Sequence, residues 1–378
     1  MIYLDNNATT PVDPQVLEAM LPWFCEQFGN AASISHEFGL SASDAVESAR
    51  ELIAQSLGAN LREIVFTSGA TEANNLAIKG AMRAAGRGSH LIVNVAEHKA
   101  VLDPASRLRR EGFEVTVLPV DDVGCVNPSD VAAAIRPDTA IVSVMLANNE
   151  IGSINPIAEI GGICRDSDVY FHCDAVQAIG KLPVNVVDLN VDLLSLSAHK
   201  AYGPKGIGAL FVRETEPAIG IEPLVHGGGH ESGLRSGTLP VPLIVGFAEA
   251  IRIAMEGLDD EPQRLSEFAA QLLEQLQSRV PGVVVNGPLE NRLPGNLSIS
   301  IPEIDGDVLM SNIEDIAVSS GSACTTAEPE PSHVLRAIGR SSKLALASVR
   351  FGFGRFNTTN DVEIATEAIV SAAQPSDS

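Results

Sequence analysis

FHCDAVQAIGKLPVNVVDLNVDLLSLSAHKAYGPKGIG, residues 171–208, is the stretch whose reading decides the fold. Two apolar runs of strand length, Val169–Cys173 at its head and Asp192–Leu196 within it, each stop abruptly at polar residues. Asp174 ends the first run. Ser197, His199 and Lys200 follow the second, and a glycine-rich turn, residues 202–206, keeps the backbone irregular. A lysine taken alone is usually a solvated surface group. This one stands just past a buried-looking strand, beside a histidine, in a small rigid loop. Partly desolvated there, an ammonium gives up its proton more easily, and the free amine can attack an aldehyde to form a Schiff base. Asp174, on the neighbouring strand, is placed to keep a pyridine ring nitrogen protonated.

Outward from this stretch the same alternation continues. Strand-like runs occur at residues 64–67, 91–95, 114–118, 140–146 and 209–213, with helical patterns at 72–85, 99–110, 129–135 and 156–165 between most of them. Seven strands alternating with helices predict an α/β fold with a mostly parallel, doubly wound sheet. Upstream, residues 14–24 and 45–57 read as amphipathic helices, separated by a polar loop containing His36. A helical stretch over 243–257 and the charged turn LDDEP set a boundary near 258. Beyond it, a helix at 263–279, short strands at 283–286, 296–301, 317–320 and 348–353, and helices at 306–313, 332–338 and 361–373 predict a smaller α+β domain. The expected division is a large domain over 14–258 and a small one built from 1–13 and 259–378. Only the final QPSDS reads as disordered.

Composition narrows the function classes. At 378 residues with 45% apolar content, the chain can bury a sizeable core. A formal charge of −23 argues against direct nucleic-acid binding and against an anionic membrane surface. No apolar run approaches a membrane span, and MIYLDNNATT carries neither the basic nor the apolar region of a signal peptide. The five cysteines are scattered without zinc spacing, which favours a reducing, cytoplasmic location over a disulfide framework or a structural metal.

In a parallel α/β sheet, ligands bind beyond the carboxyl ends of the strands. After the strand at 64–67 comes Ser68-Gly69-Ala70-Thr71-Glu72, opening a helix; it suits a phosphate, or is an ordinary N-cap. After 91–95 comes Glu97-His98-Lys99, where the histidine stacks on a ring, moves protons or caps a helix. After 140–146 comes Asn148-Asn149-Glu150, a ligand-orienting amide pair or a turn. Asp174 is followed by Gln177, and Ser197 by His199 and Lys200. Together these put a phosphate site, a stacking group, a carboxylate and a lysine along one sheet edge. His226 and His230, separated by three glycines, lack a third ligand nearby and are not read as a metal site. Arg235-Ser236-Gly237-Thr238 can complete a phosphate site, that of a neighbouring subunit included. Cys164 and Cys173 read as core, whereas Cys324 lies in a run of small polar residues and reads as a mobile, exposed nucleophile. Arg350, in SVRFGFGR, calls for a carboxylate partner, structural or a substrate's.

These residues stand in longer motifs: LDNNATTP, FTSGATEANNLAIKG, EHKAVLD, NNEIG, DAVQAIGKLP, SAHKAYGPKGIGAL, HGGGHESGLRSGTLP, SSGSACT and VRFGFGR. Running almost end to end, they resemble those of the NifS/IscS-type cysteine desulfurases, pyridoxal-phosphate enzymes of the class V aminotransferase group. The resemblance implies the type I fold of such enzymes and a homodimer. It implies that Lys200 carries pyridoxal 5'-phosphate as a Schiff base, Asp174 binds its ring nitrogen, Gln177 touches its phenolic oxygen and His98 stacks on the ring. It further implies a phosphate held by Ala70, Thr71, Ser197 and His199, with Thr238 reaching over from the second subunit. Asn149 and Arg350 then bind the substrate carboxylate, Asn149 also touching the cofactor. Cys324 takes sulfur from L-cysteine as a persulfide, leaving alanine, and passes it to an acceptor or iron–sulfur scaffold protein. The catalytic set implied is Cys324, Lys200 and His98. No firm metal ligand is read; Cys324 as an iron–sulfur ligand shared with a scaffold partner stays open.

Two departures from the family pattern stand out. Ala31 replaces the proline of FGNPAS, which predicts a local change of stiffness. The chain stops soon after its last helical pattern, so scaffold docking is expected to differ from that of members with a longer tail. Two other readings compete with this one. One is a selenocysteine lyase, or a class V lyase or aminotransferase without a sulfur-accepting cysteine. The other is a non-enzymatic sulfur carrier. Cys324 argues against a cysteine-independent enzyme, and the intact Asp174, His98 and Lys200 argue against a carrier.

Overall fold

The structure is a computed structural model that describes residues 1–84, 88–302, 304–320 and 330–374, together with the backbone of 322 and 323. Its centre is a seven-stranded sheet in the spatial order Ile64–Thr67, Gly208–Val212, Leu193–Ser197, Tyr170–Asp174, Thr139–Ser143, His90–Asn94, Glu114–Leu118. The last five strands are mutually parallel, and Gly208–Val212 alone runs against its neighbours. The central strands are buried on both faces, hence their near-continuous apolar sequences. One face packs on Glu37–Leu57 and Val241–Glu256, the other on Ala70–Arg83 and Lys99–Arg110. A second core lies between helices Glu261–Arg279 and Thr359–Ala372 and an antiparallel sheet ordered Ser319–Ser320, Ser348–Gly352, Asn296–Ser300, Val284–Asn286. Ile2–Tyr3 pairs in parallel with Ile316–Ala317, bringing the N-terminus to this second core.

Three local expectations are corrected. The helix expected at 45–57 begins at Glu37; the His36 imidazole caps it by accepting from the Gly39 N–H at 3.1 Å, and Gly39 and the serines made this first turn look like loop. The helix expected over 14–24 is two, Pro14–Met20 and Pro22–Cys25, because Pro22 has no N–H to continue the first. After His333–Ala337 a further short helix, Ser342–Leu346, precedes the strand bearing Arg350. Cys164 and Cys173 are fully buried, as their patterns required. Cys324 lies outside the described residues, as do 375–378 of the expected disordered tail.

Candidate functional site

A cavity of about 830 Å³ opens at the carboxyl edge of the large sheet and is closed on its far side by the smaller one. Strand ends supply its walls: His98 follows His90–Asn94, Asn149 follows Thr139–Ser143, Asp174 ends its own strand, and Ser197 to Lys200 end theirs. Ala70, Thr71, Gln177 and His199 line it as well, and Arg350 faces it from Ser348–Gly352. Thr238 is exposed and is not among the lining residues of its own chain.

The phosphate reading has a structural basis. Gly69, at φ 144° and ψ −177°, caps Ala70–Arg83 with no side-chain bond to the first turn, so the leading N–H groups face the cavity. Gly208 packs beneath this turn so closely that a Cβ on it would come 2.7 Å from the Gly69 Cα. Ser197 and His199 stand alongside. Burial pulls the His199 imidazole down to about 4, helped by Lys200 and Lys205, so the ring is neutral near pH 7. It shares a 3.0 Å hydrogen bond with the Thr9 hydroxyl.

Lys200 ends a single turn, Ala198–Lys200, directly after its strand. Its ammonium donates to the carbonyls of Asn7 at 2.5 Å and Ala8 at 2.6 Å. Burial lowers it to about 7, with the charges of Lys181 and Arg350 adding to the effect and Asp5 and Asp174 opposing it. Lowered this far, the amine loses its proton far more readily than a solvated lysine, as a carbonyl nucleophile requires. The Asp174 carboxylate is buried and accepts from the Asn74 amide at 2.7 Å and the Val176 N–H at 3.1 Å. Of the roles its sequence position allowed, His98 shows the helix cap: its Nδ1 accepts from the Ala100 N–H at 3.0 Å at the start of Lys99–Arg110, and the residue lines the cavity. Burial lowers its pKa, against the raising effect of Asp174. In Asn148-Asn149 the labour is divided. Asn148 is buried and builds the turn, accepting from the N–H groups of Glu150 and Ile151, and Asn149 faces the cavity.

The sequence reading missed how much of the site the N-terminus makes. Asn7, Ala8 and Thr9 line the cavity. The Asn7 amide donates to Gln177 at 3.2 Å, and the Gln177 amide returns to the Asn7 carbonyl at 3.0 Å. The partners lie 170 to 193 positions apart, so no local periodicity announces them. Glu97 was also passed over beside His98. It is fully buried, accepts from the Met145 N–H at 2.7 Å and from Asn94, and burial pushes its carboxyl well above the usual range. Its backbone carbonyl holds the His333 ring at 3.0 Å, and Ser332 donates to Glu150 at 2.5 Å, completing the wall near the second core. Among the described residues no cluster of side chains has a metal-binding arrangement, and no helix is long and apolar enough to cross a membrane.

Comparison with known proteins places this geometry. The profile of the family described as Aminotransferase class-V matches residues 2–364. The chain is 54% identical, over 96% of its own length and 90% of the relative's, to a cysteine desulfurase IscS of Anaeromyxobacter dehalogenans (strain 2CP-C). It is 48% identical, over 98% of its length and 81% of the other's, to a cysteine desulfurase of Homo sapiens. Among solved structures it resembles a NifS-like protein, with a TM-score of 0.91 and 38% identity over 98% of both chains. It also resembles SspA in complex with cysteine, with a TM-score of 0.83 and 39% identity over 93% of this chain and 99% of that one.

Proposed function

The chain belongs to the aminotransferase class-V family, and on that premise we propose that it is a pyridoxal-phosphate-dependent cysteine desulfurase. The observation that carries the reading is the seating of Lys200, Asp174 and His98 in one cavity. Pyridoxal phosphate fits what the chain offers: the helix-opening N–H groups of Ala70 and Thr71 for a phosphate, a carboxylate for a ring nitrogen, and an amine poised to lose its proton. When bound, the cofactor supplies an electron sink conjugated to the substrate Cα.

The residues then divide the work. Lys200 would anchor the cofactor through its Nζ, and the same amine would move the substrate Cα proton. Asp174, fixed by Asn74 and Val176, holds the ring nitrogen protonated. His98 covers the ring. Gln177 meets the phenolic oxygen. Ala70, Thr71, Ser197 and His199 hold the phosphate, with Thr238 supplied by a second copy of the chain. The exposed apolar side chains Leu21, Phe24, Phe28 and Phe38, the last two with ring centroids 5.3 Å apart, support such a homodimer. Arg350 and Asn149 receive the substrate carboxylate. The thiolate of Cys324 attacks the sulfur of L-cysteine; an S–S bond forms as the C–S bond breaks. The electron pair passes to the substrate carbon, which takes up a proton to become the methyl group of alanine. The persulfide goes on to an acceptor protein, an iron–sulfur scaffold included, in the cytoplasm. Residues 14–258 form the cofactor domain, and 1–13 with 259–378 form the domain bearing Cys324.

The test is direct. The purified protein is expected to be yellow, absorbing near ~420 nm as a lysine Schiff base of this cofactor does. With L-cysteine and a reductant it should yield alanine and sulfide in equal amounts. A protein that stays colourless on addition of the cofactor, or that turns over no cysteine, sinks the reading.

A further inference from the structure

The motif LDNNATTP carries no role in the sulfur chemistry above, yet it threads between the two halves of the site. Asn7 and Ala8 hold Lys200, Thr9 holds His199, and Asp5 lies at the other end of this strap, against Arg350. The Arg350 guanidinium donates through Nη2 to the Asp5 carboxylate at 2.6 Å and to the Ser319 hydroxyl at 2.8 Å. Ser319 in turn donates to the same Asp5 oxygen at 2.8 Å, closing a triangle. The strap beneath is fixed by the backbone: Asp5 bridges Gly352, the Gly352 N–H donates to the Leu4 carbonyl at 2.6 Å, and the Asn6 N–H donates to the Gly352 carbonyl at 3.1 Å.

This geometry has a direction. Arg350 and Ser319 line the cavity and Asp5 does not, so the carboxylate stands behind the guanidinium rather than in the substrate's path. Nη1 faces the other way, toward the Asn149 carbonyl at 3.3 Å, a long contact that leaves donor capacity for an incoming anion. Other acids line the same cavity, Glu150 and Asp174 among them. A free arginine side chain could swing to either, and holding a long side chain in one orientation has an entropic cost that binding must otherwise meet.

We propose that Asp5 is a positioning residue that presents Arg350 to the substrate α-carboxylate, so that the N-terminal strap helps select amino acids over simple amines. The proposal rests on the assignment of Arg350 as carboxylate receptor in a cysteine desulfurase. Substrate binding needs no displacement of Asp5, because the receptor nitrogen is the one Asp5 leaves free.

The test compares Asp5→Asn with the unaltered, cofactor-loaded enzyme, using L-cysteine as substrate and L-alanine and cysteamine as spectroscopic titrants of the ~420 nm band. Cysteamine has the amine and the thiol without the carboxylate. Asp5→Asn is expected to raise KM for L-cysteine and the apparent Kd for L-alanine about tenfold, while kcat stays within about twofold and cysteamine binding is unchanged. Should Asp5→Asn fold poorly by circular dichroism, Ser319→Ala removes one side of the triangle and should shift the same two constants by a smaller factor. An unchanged KM, or equal losses for L-alanine and cysteamine, overturns the proposal. Failure of the unaltered enzyme to turn over L-cysteine overturns instead the activity on which it rests.

Discussion

Replacing Gly208 by alanine drives a methyl group into the floor of the phosphate cradle. The added Cβ would lie 2.5 Å from the Leu196 carbonyl oxygen, 2.7 Å from the Gly69 Cα and 2.9 Å from the Gly69 carbonyl carbon. Ordinary contact begins near 3.4 Å, so the worst of these is about 0.9 Å too short, and every atom involved is backbone. Gly208 pairs with Ser197 on one side and Thr67 on the other, so neither strand can slide away freely. The strain falls on the Leu196 carbonyl and on the Gly69 turn, whose following N–H groups are assigned to the phosphate. Overpacking of this kind costs about 1–3 kcal/mol. For a chain of this length, unfolding entropy near ~2 cal/mol/K per residue turns about 2 kcal/mol into a melting shift of roughly 2–3 °C. Loss of one well-aimed phosphate hydrogen bond weakens cofactor affinity about tenfold. Both effects are read by titrating apoprotein with pyridoxal phosphate and by thermal melts with and without it. Gly162→Ala, where a Cβ meets nothing within 4 Å, is the control. If Gly208→Ala binds the cofactor as tightly as the control, the phosphate does not sit on the Gly69 turn.

The remaining predictions concern protons. Because burial lowers Lys200 to about 7, the rate at which apoprotein takes up pyridoxal phosphate should rise with pH through about 7 and level off above it. Lys181→Met, which removes a neighbouring positive charge, should move that midpoint upward; an unmoved midpoint would separate the two lysines. His172 is buried between the hydroxyls of Ser143 and Ser195, and burial lowers it to about 3. The unfolded chain therefore binds a proton below about 6.5 that the folded one refuses until about 3, so the stability it contributes falls as pH falls through that window. Between pH 7 and pH 5 the loss from this group is about 2 kcal/mol. Denaturant titrations should show it as a difference between the two proteins, the unaltered one losing about 2 kcal/mol more than His172→Leu between pH 7 and pH 5, because the opposite-signed effect of Glu97, raised by burial, is common to both and cancels in the comparison.

What the sequence revealed follows from how local each signal is. The strands Ile64–Thr67 and Glu114–Leu118 and the helix Lys99–Arg110 have the bounds their patterns give, because apolar spacing and flanking turns are local. The site residues on strand ends were legible for the same reason: a parallel sheet delivers whatever follows each strand to one edge. The helix start at Glu37 was hidden, since glycine and serine in a first turn look like loop until the His36 cap is seen. The N-terminal strap was hidden more deeply. Asp5 meets Arg350 across 345 positions, and its pairing with the smaller sheet leaves no trace in a short window. Arg350 was read as needing a carboxylate, structural or a substrate's. The structural one is Asp5, and it leaves Nη1 facing the cavity.

The central claim is that sulfur moves from L-cysteine onto this chain, and mass analysis of the peptide containing Cys324 tests it most directly. After brief exposure of the cofactor-loaded protein to L-cysteine without reductant, that peptide should carry one added sulfur atom, matched by one alanine per site. In Cys324→Ala the yellow colour and L-alanine binding should persist while sulfide release under reductant disappears. Alanine formed with no sulfur on Cys324, or full sulfide release by Cys324→Ala, would contradict the account.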